Sequence, residues 1–480
     1  MWQPVLMISG YFISVLGLAM LFPAGIDLYY KQSDWSPFIT ASIISIFIGM
    51  SLFLGNRTKI EKISIRQGYL LTVIIWVSIC LLAALPFMLS GTTQNWADAV
   101  FEAVSGITST AATVLVDVDN SDHAVLLWRS LLNGLGGVGI VIFAVALLPF
   151  LGIGGMQIFQ RENSDFNDKL MPKISYIAKR IIIIYVILVT LSTIGLFWAG
   201  MNKFDAVNHA LSAVSTGGFS TKNNSIEYYD NLWIEIILIL SMISGSIPLT
   251  YYLVLLQRNF TRSFRSEQVR FFLKTLAFYI LLMAFWLTWS GKYGFWQSLR
   301  YSAFNVVSIT TSTGFASTDY GQWGLFAQTM FIIFALTGGC TGSTSGSIKI
   351  FRWQVIIAFL KKSLVNLTEP NRIIFVKIGN LNVDYSIISS VFVFVSAFSF
   401  STILLTMLVA VTGVDFTTAF SGIVGCITNS GPGVGKIVGP AGNFSSFSDF
   451  AKYVCAFAML LGRLEVLTIL VVFTKNFWHK

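Results

Sequence analysis

A chain that is 55% hydrophobic yet breaks four times into Ser/Thr/Gly-rich stretches has few folds open to it. The stretches are Ser105-Gly-Ile-Thr-Ser-Thr-Ala-Ala, Ser212-Ala-Val-Ser-Thr-Gly-Gly-Phe, Ser308-Ile-Thr-Thr-Ser-Thr-Gly-Phe and Gly425-Cys-Ile-Thr-Asn-Ser-Gly-Pro. Set side by side without gaps, they place Ala111, Gly218, Gly314 and Gly431 in one column. Three residues earlier stand the hydroxyls of Thr108, Ser215, Thr311 and Thr428, and six earlier the small residues Ser105, Ser212, Ser308 and Gly425. A period of about a hundred residues marks internal repetition.

Each stretch follows a short apolar segment: Trp96 to Thr108, Phe204 to Ser215, Trp296 to Thr311, and Asp415 to Ile427. A dozen helical residues reach about 18 Å, whereas a bilayer's hydrocarbon core is about 30 Å thick. These segments therefore enter and stop, and the chain returns in non-helical form. Such backbone is tolerated at membrane depth only where it is buried or lines water. Four re-entrant loops around one axis present rings of carbonyl oxygens, the construction of a cation filter. Close helix packing, which also favours small residues, is the bland alternative for any one stretch.

Only 11% of residues are charged, against about 25% in soluble domains, so a water-soluble fold is excluded. The net charge of +9 lies in connectors between apolar spans, the pattern of a multi-pass membrane protein rather than a nucleic-acid binder. Cys80, Cys340, Cys426 and Cys455 read as packing residues, and His123, His209 and His479 are too scattered for a metal site. Met1 to Phe22 lacks a basic start and a small-residue cleavage site, so a retained span is expected.

The predicted fold is an all-α integral membrane protein, with four pseudo-symmetric outer helix–pore helix–inner helix repeats around one pore and an accessory N-terminal two-helix hairpin. The hairpin takes residues 1–67, and the repeats take 68–160, 161–258, 259–370 and 371–480. The inner spans are expected at Ala124 to Phe150, Leu232 to Leu256, Phe326 to about Leu360, and Phe450 to Phe473, making ten membrane passes in all. Basic clusters (Arg57 to Arg66, Arg161 to Arg180, Arg258 to Lys274, Arg352 to Lys377) fall opposite the re-entrant loops. That side, with both termini, is expected to be cytoplasmic. Asp98, Asp117, Asp119, Asp122, Asp319 and Asp449 fall near the outer mouth, where they either concentrate cations or simply face solvent.

The candidate filter comprises Ser109, Thr110 and Ala111; Thr216, Gly217 and Gly218; Ser312, Thr313 and Gly314; and Asn429, Ser430 and Gly431. Glycine accepts the positive φ that aims successive carbonyls at an axis. The C-terminal ends of the pore helices, each with about half a negative charge, favour a cation nearby. Ten residues, Gly338 to Ser347, interrupt the third inner span with four glycines and six Ser, Thr or Cys, which no stiff helix holds. This break either lines the cavity beneath the filter or is a kink against a packed neighbour. Arg463, inside an apolar span, needs a wet or paired site, because an arginine at the bilayer centre costs from about 2.5 to above 10 kcal/mol. It either faces the pore as a barrier held by loop carbonyls or joins a buried pair with Glu465 or Glu102. Glu102 and Asn305, nine residues before the aligned column, are expected to brace the half-helices.

These motifs, with Gly338-Gly-Cys-Thr-Gly-Ser-Thr-Ser-Gly-Ser-Ile-Lys349 and Gly462-Arg-Leu-Glu-Val-Leu, resemble the Trk/Ktr/HKT superfamily of potassium transporters over the whole chain, most closely its bacterial TrkH branch. The resemblance implies K⁺ uptake with Rb⁺ also accepted, no bound cofactor, a homodimer with one pore per protomer, and the bacterial inner membrane. It implies a gate built from Gly338, Gly339, Cys340, Thr341, Gly342, Ser343 and Gly346, with Lys349 and Arg463, and a cytoplasmic TrkA-like ring of nucleotide-binding regulatory subunits. Ala111 departs from the family's glycine. Alanine resists positive φ, which predicts a first wall that presents its carbonyl differently and relaxed exclusion of Na⁺. No P-loop, nucleophile elbow or metal spacing suggests an enzyme. The competing readings are a Na⁺-permeable relative and a proton- or sodium-coupled alternating-access symporter.

Overall fold

The computed structural model describes residues 2–32, 35–58, 64–146, 174–256, 266–372, 374–379 and 381–478. The expected end of the first inner span at Phe150, the boundary between repeats one and two, and the side chains of Lys59, Lys62, Arg161, Lys169, Lys173, Arg258, Arg262 and Arg265 lie outside these residues. Apart from one antiparallel strand pair, Lys377–Ile378 with Leu381–Asn382, the regular elements among them are helices.

Four re-entrant helices, Trp96–Ile107, Lys203–Val214, Phe295–Thr310 and Phe416–Ile427, occupy the four predicted positions within a residue or so at each end. Asn95, Asn202 and Asp415 cap three of them by accepting from the amides of Asp98, Asp205 and Thr418. Among the described residues, seven helices are long and apolar enough to cross a membrane. Two further passes are bent pairs, and the third inner helix is two pieces, Leu325–Leu336 and Ile350–Thr368, parted by the Gly338 stretch.

The bent pairs correct two expectations. The second inner span breaks between Leu232–Ser246 and Leu249–Leu256 with a turn of 94°, and the fourth between Asp449–Arg463 and Val466–Val472 with a turn of 110°. Pro248 explains the first, since it has no N–H to donate and its ring clashes with the preceding turn. At the second, Glu465 takes φ +63°, a left-handed conformation that ends the helix. Arg463 thus sits at a helix end rather than inside a continuous one.

The hairpin is more than an accessory. Its helices meet through glycines: a Cβ on Gly10 would stand 2.5 Å from the Gly49 carbonyl oxygen, and Ser42 donates to Gly17 O at 2.7 Å. Asp27 then accepts from the Ala124 amide at 2.7 Å and Gln32 from the His123 amide at 2.9 Å, satisfying the start of the first inner helix, His123–Ala146. All four cysteines are buried free thiols, as packing residues should be.

An ion pair of 2.5 Å between Lys452 and Asp98 ties the last inner helix to the first pore helix, with the two side chains 6% and 11% exposed. Lys452→Met leaves a carboxylate nearly out of water, so it should lower stability by about 3 kcal/mol. A fall in the melting temperature in detergent, largely recovered by the double variant Asp98→Asn, Lys452→Met, is the expected result.

Candidate functional site

Each pore helix ends in the same backbone sequence of conformations. The cap residues Thr108, Ser215, Thr311 and Thr428 are right-handed. The next residues, Ser109, Thr216, Ser312 and Asn429, take φ of +49°, +52°, +58° and +55°. Two further on, Ala111, Gly218, Gly314 and Gly431 take +69°, +70°, +92° and +84°. Left-handed residues recurring at every second position turn successive carbonyls to the same side, which is the backbone form a carbonyl-lined path requires. The amides of Thr110, Gly217, Thr313 and Ser430 each bond back to the small residue five earlier, at 2.9, 2.7, 2.8 and 3.0 Å.

The hydroxyl column serves this turn. Thr108, Thr311 and Thr428 pair with the hydroxyls of Thr110, Thr313 and Ser430 at 2.7, 2.8 and 2.9 Å. Repeat two has Gly217 at that place because Asn133 of the first inner helix fills it; a Cβ there would lie 2.4 Å from the Asn133 amide carbon.

Ala111 does not divert its wall, because its φ matches that of Gly218. The difference is the methyl. Cβ positions built on Gly218, Gly431 and Gly314 fall 2.8, 2.9 and 3.0 Å from the Ala111 Cβ, so that methyl projects into the space the four walls share. The glycines are also necessary: their Cβ atoms would meet Thr313 O at 1.8 Å, Ser430 O at 2.5 Å and Thr110 O at 2.3 Å. Those contacts run from repeat two to three, three to four and four to one, and the Ala111 methyl beside Gly218 joins one to two, which closes the four segments into a ring. Above it lies a vestibule of about 130 Å³ with Ala111, Gly218, Gly314 and Gly431 at its floor.

Behind the ring each repeat has a polar post. Glu102 accepts from Thr113 Oγ1 at 3.0 Å, from the Val114 amide at 3.1 Å and from Arg129 Nε at 2.7 Å. Arg129 also donates to Ser220 O at 3.0 Å, joining the exits of repeats one and two. Asn305 holds Ser317 through two bonds, at 3.0 and 3.2 Å. These two residues brace their half-helices, as expected, by bonding each to the segment that follows it. The sequence reading missed the others. His209, in the same column, bonds Ser220 Oγ at 2.9 Å through Nε2 and Asp205 O at 2.8 Å through Nδ1, whose proton the carbonyl requires. In repeat four, where that column holds Gly422, the neighbouring Ser421 donates to Val434 O and accepts from its amide. Aligning the column through all four repeats would have revealed His209.

Of the predicted mouth carboxylates, Asp98 is taken by Lys452, Asp319 caps its own turn at Gly321, and Asp449 accepts from Asn95. At the rim, the Asn120 side chain donates to Asp117 and holds its carboxyl below the usual range, so it stays ionised.

The interrupting loop packs directly under the ring. Gly346 N donates to Ser312 Oγ at 2.6 Å, Ser345 Oγ meets Ser312 Oγ at 3.1 Å, and Thr216 Oγ1 donates to Thr344 Oγ1 at 3.3 Å. A Cβ on Gly346 would stand 2.6 Å from Thr428 O. Cys340 N, Thr344 N and Gly342 O bond to Ser246 O, Gly245 O and Leu249 N at the break in the second inner helix. Gly338 N bonds Ile348 O, and Gly339 O accepts from Ile350 N, which seals the loop's neck. Thr341 accepts from Gln268 and Ser343 donates to Cys340 O. Lys349 donates to Ser345 O within the loop.

Arg463 reaches the same place from the fourth repeat. It donates to Thr344 O at 2.6 Å and to Gly136 O at 3.1 Å, is 4% exposed, and pairs with no carboxylate among the described residues. Glu465 pairs instead with Arg352, and Glu102 with Arg129, so neither predicted ion partner engages it. Thr344 and Gly136, its actual partners, present backbone oxygens, which no residue pattern marks.

The profile of the TrkH family, described as a cation transport protein, matches residues 36–480. The Trk system potassium uptake protein TrkI of Halomonas elongata is 36% identical over 100% of this chain and 97% of its own length. TrkH of Escherichia coli K12, a Trk system potassium uptake protein, is 33% identical over the full length of both chains. The crystal structure of the potassium transporter TrkH from Vibrio parahaemolyticus superposes with a TM-score of 0.93 at 29% identity, covering all of both chains.

Gly218→Ala should abolish cation flux through the ring, by tenfold or more, because its Cβ would overlap the Thr313 carbonyl oxygen. The same change at Gly139, which has open space at its Cβ position, should leave flux near the unmodified level in the same liposome assay.

Proposed function

The chain belongs to the TrkH family of cation transport proteins, a family of membrane transporters and not of enzymes, and we propose that it is a K⁺ uptake subunit that passes the ion through its filter ring. The observation that carries this reading is the recurrence of left-handed backbone at the same two places in all four repeats, which lines one path with carbonyl oxygens. K⁺ gives up its water for those oxygens between Ser109 and Ala111, Thr216 and Gly218, Ser312 and Gly314, and Asn429 and Gly431; Rb⁺, of similar size, follows. Flux is passive and downhill. The names of the relatives, which place them in a Trk potassium uptake system, support the choice of ion.

In this reading residues 338–349 form the gate. Their contacts with Thr216 and Ser312 put them in the ion's way, and Arg463 latches them shut through Thr344 O while adding a positive charge to the path. A TrkA-like nucleotide-binding ring on the cytoplasmic side would act on this latch, with two copies of the chain assembled as a homodimer in the bacterial inner membrane. Both termini lie inside, as the basic connectors suggest. The repeats divide at residues 67, 160, 258 and 370.

A second reading, weaker discrimination against Na⁺, is favoured by one observation: the Ala111 methyl at the shared mouth of the ring. The test is flux into liposomes holding only the purified chain. K⁺ and Rb⁺ running down their gradients with Na⁺ and Li⁺ excluded supports the selective channel; flux that appears only under a proton or sodium gradient overturns it in favour of coupled transport. Arg463→Ala should raise K⁺ flux severalfold, since both the charge and the latch are gone; an inactive, unstable protein would make the arginine a purely structural group. Ala111→Gly should increase the K⁺/Na⁺ permeability ratio, and an unchanged bi-ionic reversal potential would remove the methyl from the account of selectivity.

A further inference from the structure

At the end of the molecule opposite the filter mouth, a cavity of about 390 Å³ opens between the start of the third outer helix, Glu267–Trp289, the helix Ile350–Thr368 that leaves the gating loop, and the strand pair at Lys377. Its lining divides by chemistry. Lys361, Lys362 and Lys377 supply three ammonium groups, and none of them forms an ion pair or a side-chain hydrogen bond among the described residues. Ile357, Val365 and Phe375 supply an apolar wall, with Phe375 67% exposed. Glu267 is the one acidic residue of the lining, and it is engaged by Arg270. Three unopposed positive charges beside an exposed phenyl ring and two aliphatic side chains match a ligand with an anionic head and a hydrocarbon body.

The depth of the site agrees with that match. The third outer helix has 23 residues, about 34 Å, and its far end leads to the re-entrant helix and the vestibule, so Glu267 and the cavity lie one bilayer thickness away from the mouth. Lys361 follows the start of its helix by eleven residues, about 17 Å, when half the hydrocarbon core is about 15 Å. The ammonium groups therefore stand at headgroup depth while Ile357 is one turn nearer the midplane. Leu360, Leu364 and Leu367, at 55%, 56% and 79% exposure, continue an apolar stripe along the same helix.

We propose that this cavity binds an anionic glycerophospholipid, its phosphate held by Lys361, Lys362 and Lys377 and its acyl chains laid against Ile357 and Phe375. Basic pockets between transmembrane helices recognise lipid phosphates by this combination of charge and apolar wall. The position gives the ligand a route to the gate: Gln354, in the same lining, donates to Glu267 O, and the helix that carries it runs back to Arg352 and the loop. A bound lipid would splint that helix against the outer helix and the strand pair.

Native mass spectrometry of the purified full chain in detergent, titrated with short-chain phosphatidylglycerol or phosphatidylcholine, tests the proposal without relying on ion transport. Phosphatidylglycerol should bind at least tenfold more tightly than phosphatidylcholine. The triple variant Lys361→Gln, Lys362→Gln, Lys377→Gln should lose that preference, the triple Lys→Arg variant should keep it, and Lys222→Gln in the distant vestibule should leave it unchanged. Equal binding of the two lipids overturns the proposal, as does an undiminished preference in the glutamine variant. Inorganic phosphate displacing the lipid at equal concentration would also overturn it, by assigning the lysines to a soluble anion. The lysines are at or near the surface, and an unaltered melting temperature of the glutamine variant separates loss of the site from loss of the fold.

Discussion

Backbone polar groups at membrane depth must find partners, and two broken helices here find them in each other. The second inner helix stops at Ser246 and Pro248, freeing carbonyls and amides that water would satisfy in a soluble protein. The loop of the third repeat meets that break with Cys340 N, Gly342 O and Thr344 N, so each interruption completes the other. Thr344 Oγ1 adds bonds to Val214 O and Gly245 O at 3.1 and 3.0 Å, and Val214 is the last residue of the second pore helix. The loop therefore cannot leave its place without stranding donors and acceptors of the second repeat. Each stranded buried group costs about 1–3 kcal/mol, so the loop is held in its place by several such bonds at once.

The two buried arginines near this loop differ in what neutralises them. Arg352 has Glu465 beside it and the Phe394 ring 3.7 Å below its guanidinium, so its charge is balanced where it lies. Among the described residues Arg463 has carbonyl oxygens alone, one for each terminal nitrogen, while its buried Nε–H has no partner. Carbonyl dipoles leave the full charge, and a charge kept uncompensated in low dielectric acts strongly on any cation sharing the cavity. An arginine serving only as a brace would gain more from a carboxylate, and Glu465 was available two residues along the chain. The left-handed φ of Glu465 sends its side chain toward Arg352 and leaves Arg463 unbalanced. The break in the fourth inner helix thus separates a charge meant to be neutral from one that is not.

How much of this was legible in the sequence depended on whether the signal lay in side chains or in backbone. The four re-entrant helices were legible because twelve apolar residues cannot span a bilayer and a Gly/Thr/Ser run cannot continue a helix. The posts at Glu102 and Asn305 could be read because they share a column, and His209 was overlooked because a histidine invites a question about metals before one about hydrogen bonds. The breaks in the second and fourth inner helices were hidden by continuous hydrophobicity, although Pro248 was a visible signal. Arg463 was legible as a misplaced charge, but its partners were not, since Thr344 O and Gly136 O belong to the backbone and any residue type would supply them.

The same distinction explains why the outer ring tolerates one alanine and no more. Left-handed φ disfavours a Cβ by about 1–2 kcal/mol, and the protein accepts that at Ser109, Thr216, Ser312 and Asn429; the last three side chains bond to hydroxyls, amides or carbonyls around the ring. At the outer column the limit is space. Three of the four Cβ positions collide with the carbonyl of the next repeat, and all three converge on the volume the Ala111 methyl already fills. Repeat one is therefore the place where a side-chain carbon enters the mouth, and a second would close it. The mouth of the ring thus has three open walls and one narrowed by a methyl, so its asymmetry follows from a single residue while the left-handed backbone beneath it stays common to all four repeats.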